Sequence, residues 1–157
     1  MLPLHTILCP LDFSESSYKS LRNAAELATE FCAELLLVHI LAPIPIVPLG
    51  SSLVPDVMPI ESGTTQAAAE EREIATKERL IVAARQLPSV LKSRVAVGIG
   101  DAADEIVRTA KAESVDLIVI STHGATGWRH LIFGSVAEKV IRLSDRPVLV
   151  IPVHEPK

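Results

Sequence analysis

The stretch DLIVISTHGATGWRHLIFGSVAEKV, residues 116–140, decides how the fold is read. Its residues 117–120, LIVI, are apolar without alternation. A strand with one face in water alternates apolar and polar side chains, whereas a strand buried on both faces does not. The run stops at a loop containing Gly124 and Gly127, and a helical pattern opens at Ser135 just after Gly134. A buried strand leaving through a bare-backbone loop into a helix is one step of a parallel sheet covered on both faces.

Four other runs have the same character: HTILCPL (5–11), ELLLVHIL (34–41), SRVAVGI (93–99) and PVLVIPV (147–153). Helical spacing fills the gaps. Tyr18, Leu21, Ala25, Ala28 and Cys32 recur after Ser14, a natural N-cap. Residues 65–87 place Ile74, Leu80, Ile81, Ala84 and Leu87 on an apolar side. Asp101 is placed to cap a third helix carrying Ile106, Val107 and Ala110, and a fourth carries Val136, Val140 and Ile141. The order β-α-β-α-β-α-β-α-β predicts an α/β, doubly wound, open parallel sheet. The whole chain, 1–157, reads as a single domain. A connection at about 42–64, rich in Pro, Ser and Gly, breaks its rhythm. Connections this long are uncommon in compact domains. This one is apolar, so part of it is expected to lie against the body or a partner.

Composition narrows the function classes. Apolar residues make up 48% of the chain and aromatics 3%, so the core must be aliphatic. The net charge of −4 and the lack of a basic stripe argue against nucleic acid as a partner. The start, MLPLHTILCPLDFS, has no basic n-region or cleavage site. The most apolar stretch, residues 35–50, is interrupted by three prolines, so no membrane span is expected. Cys9 and Cys32 form no CxxC pair and are expected to be buried thiols. A reducing, cytoplasmic setting follows from that cysteine usage. The five histidines have no metal-ligand spacing, and no metal site is expected. His39, within an apolar run, is expected to be an interior histidine with its hydrogen bonds satisfied.

In open α/β sheets, ligands bind beyond the carboxyl ends of the strands, where the strand order reverses. The residues following strands 1 and 4 are therefore the candidates: Pro10, Leu11 and Asp12, and Ser121, Thr122, His123 and Gly124. Gly124 and Gly127 would let successive N–H groups face an anion. Gly134 and Ser135 would bring the N-terminus of helix 4, with the N–H groups of Ser135 and Val136, against a phosphate. His123, Arg129 and His130 lie in the same loop. Two plainer readings compete. SVAE (135–138) fits a capping box that accounts for Ser135 without a ligand. Asp12 fits helix-start chemistry. GIGDAA (98–103) resembles a dinucleotide fingerprint, but it follows the third strand and reads better as a turn plus N-cap.

Together these segments resemble the universal stress protein family. The resemblance runs through ILCPLDFSESSYKSLRNAAELA (7–28), AELLLVHIL (33–41), GDAADEIVRTAKAESVDLIVISTHGATG (100–127) and IFGSVAEKVIRLSDRPVLVIP (132–152). It implies a five-stranded sheet of order 3-2-1-4-5, of the adenine nucleotide alpha hydrolase-like type. Nucleotide-binding members carry a G-x2-G-x9-G-[ST] signature. Gly124, Gly134 and Ser135 match it, and Ser121 stands where the first glycine would be. By the same resemblance Asp12 meets the nucleoside and Ile40 flanks adenine. It implies ATP as ligand, with or without Mg2+, and homodimers formed through the strand at 147–153. The expected function is thus an ATP-binding regulatory module of the stress response. The alternatives are a nucleotide-free dimer acting through protein contacts and a slow ATPase; no P-loop lysine or metal-binding carboxylate pair supports efficient hydrolysis.

Overall fold

The computed structural model describes residues 4–44, 62–122 and 134–152. The elements run β1 (Thr6–Pro10), α1 (Glu15–Glu30), β2 (Glu34–Leu41), α2 (Ser62–Arg85), β3 (Ser93–Ile99), α3 (Ala102–Ala112), β4 (Leu117–Ser121), α4 (Ser135–Leu143) and β5 (Val148–Ile151). All strand pairs are parallel, in the order β3-β2-β1-β4-β5. The chain winds outward from β1 to β3, then crosses back to β4. The reversal therefore falls between β1 and β4.

The uninterrupted apolar runs of β1, β2 and β4 follow from burial on both faces, while β3 and β5, expected to be buried as well, are edge strands and only half-buried. Successive side chains of a strand point to opposite faces. Ile7 and Cys9 of β1, Leu35 and Leu37 of β2, and Val119 of β4 join Leu21, Ala24, Ala28, Leu80 and Ala83 of α1 and α2. Leu8, Leu36, Val38, Ile118 and Ile120 join Ala103, Ile106, Ala110, Ala137 and Val140 of α3 and α4. Alanine on the helix faces lets the helices approach a sheet of Leu, Ile and Val closely. The near absence of aromatic residues fits two such thin layers.

Three expectations need correction. Helix α2 starts at Ser62, earlier than the sequence pattern suggested. Its buried stripe is Thr76, Leu80 and Ala83, while Ile74 is 60% exposed. Leu80 and Ala83 fix the rotation of the helix, and Ile74 falls outside that stripe. Cys32 is exposed rather than buried. It lies just past α1 in the left-handed region (φ 53), where Cys32 N–H donates to Thr29 O and Ala33 N–H to Ala28 O. Ser114 (φ 51) ends α3 in the same way, with Ser114 N–H to Lys111 O and Val115 N–H to Ala110 O. In both, the side chain after the turn (Ala33, Val115) is buried and seals the helix end against the sheet. Glycine is the usual residue at such positions, because a Cβ there crowds the following carbonyl. Ser114→Gly is therefore expected to raise unfolding free energy by about 0.5–1 kcal/mol, after allowance for the looser unfolded chain. Urea denaturation would measure this, and an unchanged midpoint would refute it.

Candidate functional site

The carboxyl ends of β1 and β4 form the two sides of the site. At β1, Leu11 N–H donates to Val38 O at 2.8 Å, extending the pairing one residue past the strand. Asp12 follows, exposed. Its Oδ1 accepts the N–H of Ser14 at 3.0 Å and also the Ser14 hydroxyl. Ser14 in turn caps α1 by accepting Ser17 N–H at 3.2 Å. The helix-start reading of Asp12 is thus correct: its carboxylate builds the turn. That role leaves the residue at the carboxyl end of the central strand, where a ligand would sit.

Between them, Phe13 adopts a left-handed backbone (φ 63). Such a conformation costs a side-chain-bearing residue about 1–2 kcal/mol. The Phe13 ring lies 4.8 Å from the His39 ring, and the Arg79 guanidinium sits 3.8 Å above its centre. His39, expected in the interior, is half-buried, and its Nδ1 donates to Leu11 O at 2.6 Å. Sequence reasoning did not find this cluster. Neither the left-handed Phe13 nor the approach of α2 leaves a local pattern. Beside it, Ile40 is half-buried, and a Cβ at Gly98 of the neighbouring strand would come within 2.8 Å of its Cδ1. The bare backbone of Gly98 makes that room.

At β4, Ser121 and Thr122 are buried. Thr122 N–H donates to Ile151 O at 3.0 Å, and Thr122 O accepts the N–H of Gly134. This last bond fastens the end of β4 to the start of α4. The capping-box reading of 135–138 is incorrect. The N-cap is Gly134, and Ser135 is already the first helical residue, exposed. Gly134 has no side chain to accept an N–H from the first turn. A helix leaves its first N–H groups without intrahelical partners and carries a partial positive charge there. In α4 those groups belong to Ser135, Val136 and Ala137. Gly134 has φ −67 and ψ 153, an extended conformation that any residue adopts. Its backbone geometry therefore does not require glycine. His123, Gly124, Gly127, Arg129 and His130 lie outside the described residues, as do residues 45–61 of the long connection.

The GIGDAA segment is a turn and N-cap, as read. Gly100 has φ +152, which favours glycine. Asp101 accepts Ala103 N–H at 3.0 Å and Asp104 N–H at 3.1 Å. Asp116 serves structure: its Oδ2 accepts His5 N–H and Thr6 N–H at the amino end of β1, away from the site. Lys139 of α4 reaches Asp101 and Asp104, each at 3.0 Å, latching α4 to α3. The Asp104 N–H, then the Lys139 ammonium, hold the Asp101 carboxyl below its ordinary value. Asp101, then Asp104, raise Lys139. The depressed acid contributes stability above the usual carboxylate range and loses it as pH falls through its folded value. The raised lysine contributes below the usual lysine range and loses it as pH rises through its folded value. Asp101→Asn retains a capping side chain and removes the charge. Its melting-temperature deficit should be present at neutral pH, shrink in high salt and vanish as pH falls through the folded value of Asp101, below the usual carboxylate range. A deficit that persists unchanged in acid would contradict this.

Burial pushes the Cys9 thiol up to about 12, so it is inert at the edge of the site. A shallow concavity lined by Asn23, Glu26, Leu27, Glu30 and Leu149 lies on α1 and β5, towards the end of α1 remote from Asp12. Its two carboxylates make it a poor seat for an anion. Among the described residues no His, Cys, Asp and Glu side chains converge as a metal site, and no helix is long and apolar enough to cross a membrane.

The fold is thus a doubly wound α/β sheet whose reversal point carries an acidic residue on one side and a helix N-terminus capped by glycine on the other. The universal stress protein family model matches residues 3–152, and the chain belongs to that family. Universal stress protein MJ0577 of Methanocaldococcus jannaschii is 30% identical over 157 aligned residues, spanning 92% of this chain and 93% of the relative. The solved structure of MJ0577 superposes with a TM-score of 0.78 at 25% identity, covering 99% of this chain and all of that one. Two more distant structures share the fold. A universal stress protein in complex with cAMP has a TM-score of 0.61 at 19% identity, over 96% of this chain and 98% of its own. The Archaeoglobus fulgidus protein in complex with dAMP has a TM-score of 0.57 at 21%, with the same coverage.

Proposed function

We propose that this chain is a regulatory module of the stress response that binds an adenine nucleotide, ATP in its working state, across the ends of β1 and β4. The observation that carries the reading is Gly134. A glycine occupies the N-cap of α4, where its dihedral angles do not call for one and a capping side chain would stabilise the helix. Close approach of a phosphate to the backbone accounts for that choice, and Ser135 adds an exposed hydroxyl. The nucleoside would lie along Asp12, beside Pro10, Leu11, Ile40 and Ser121. Gly124 and Gly127 would continue the phosphate cradle, with Thr122 and His123 at its start and Val136 in the helix turn. Adenine nucleotides held by structures of the same fold support this assignment. Mg2+ would accompany the triphosphate through its own oxygens. The working unit is proposed to be a cytoplasmic homodimer formed through β5, an edge strand whose Leu149 is 38% exposed.

The test is acid extraction of freshly purified protein followed by ion-exchange chromatography, then calorimetric titration with ATP with and without Mg2+. Near-stoichiometric adenine nucleotide, or saturable binding, is expected. An empty extract and flat titrations would overturn the reading and leave a dimer acting through protein contacts.

A further inference from the structure

We infer that Arg79, on α2, is a positioning residue for the nucleoside end of the site, acting on Asp12 through the Phe13 ring. The inference rests on the proposed nucleoside role of Asp12. Phe13 is the only residue between Asp12 and Ser14, whose side chains and backbone hold each other across the turn. The turn exists in this form only while Phe13 stays left-handed (φ 63). Nothing in a phenylalanine favours that conformation locally, so tertiary contacts must hold it.

Phe13 packs against the core shared by β1, α1 and α2, and two further contacts grip its ring. The His39 ring lies 4.8 Å from the Phe13 ring at an interplanar angle of 32°. It is fixed in turn by its 2.6 Å bond to Leu11 O, immediately before Asp12. From α2, the Arg79 guanidinium lies 3.8 Å from the ring centre, well within cation–π range. A planar guanidinium can spread over an aromatic face, so it both attracts the ring and covers it. The aspartate is thereby gripped from both sides of the sequence: His39 through Leu11, and Arg79 through Phe13. Arg79 is itself exposed, so it can be replaced without opening the core. Helix α2 thus gains a direct mechanical connection to the residue proposed to read the nucleoside.

The experiment uses Arg79→Gln, Arg79→Lys and Asp12→Ala in the full chain, with adenosine and ATP as probes. Adenosine carries no phosphate, so a loss of adenosine affinity cannot come from a missing counter-charge. Arg79→Gln is expected to weaken adenosine and ATP alike, by about two- to fivefold, and Arg79→Lys to recover only part of the loss, because lysine keeps a charge over the ring but not the planar cover. In the unliganded protein, the Ser14 amide resonance should shift and exchange faster in Arg79→Gln. The amides of Ser135–Ala137 should not move. An unmoved Ser14 amide overturns the inference. So does a loss confined to ATP, which would make Arg79 a phosphate counter-charge. Unchanged adenosine affinity in Arg79→Gln, with Asp12→Ala impaired, overturns it as well. If the wild-type protein binds neither probe, the nucleotide reading falls, and the Ser14 amide alone decides whether the clamp exists.

Discussion

Gly134→Asp should make the protein more stable and abolish its binding of ATP. Aspartate is among the best N-cap residues, exceeding glycine by a few tenths of a kcal/mol, and its charge faces the positive end of the helix. The extended dihedrals at Gly134 accept it without strain. A gain of about 0.5 kcal/mol is therefore expected in a denaturation experiment. The same carboxylate would occupy the space proposed for phosphate. Two unit charges about 4 Å apart repel by about 4 kcal/mol at an effective dielectric constant of 20, close to three orders of magnitude in affinity. The two effects have opposite signs, so general damage to the fold cannot imitate the result. A stabilised protein that still binds ATP with wild-type affinity would show that α4 does not seat the phosphates. Glycine would then be no more than a tolerated cap.

Asp12→Ala is expected to weaken adenosine binding by about tenfold to a hundredfold, the worth of a hydrogen bond to a charged group. It also removes the acceptor for Ser14, which should lower stability by about 1 kcal/mol, as lost helix-start contacts do. Asp12→Asn separates the two effects. Asparagine forms the same turn to the N–H two residues on, so stability should be nearly preserved. The loss of charge should still reduce adenosine affinity. If Asp12→Asn binds adenosine normally while Asp12→Ala loses stability and affinity in proportion, Asp12 only shapes the turn. Isothermal calorimetry paired with urea denaturation would distinguish these outcomes.

How far the molecule was legible in its sequence follows the range of the forces involved. The apolar runs of β1, β2 and β4 announced strands buried on two faces, because that burial tolerates no polar alternation, whereas β3 and β5, which read the same way, are edge strands only half-buried. Ser14 and Asp101 announced their helices, because a capping side chain acts within three residues of itself. Those effects are local, and the chain order of the elements followed from them. The reversal between β1 and β4 needed the family resemblance as well, since alternation alone does not set strand order.

Other features were not legible. SVAE has the composition of a capping box, yet the helix takes Gly134 as its cap. The bond from Gly134 N–H to Thr122 O fixes where the chain enters the helix, and that partner comes from the end of β4. Ile74 has the hydrophobicity of a core residue, but Leu80 and Ala83 settle the rotation of α2 against the sheet. Cys32 looked buried by type and lies at an exposed left-handed turn. By itself, then, the sequence determined the elements and their order, because these rest on periodicity and short-range hydrogen bonds. Only the tertiary structure decided that Phe13 is held left-handed between His39 and Arg79, and that α4 opens on a bare glycine fastened to β4. Both depend on contacts between segments far apart in the chain, which no local pattern records.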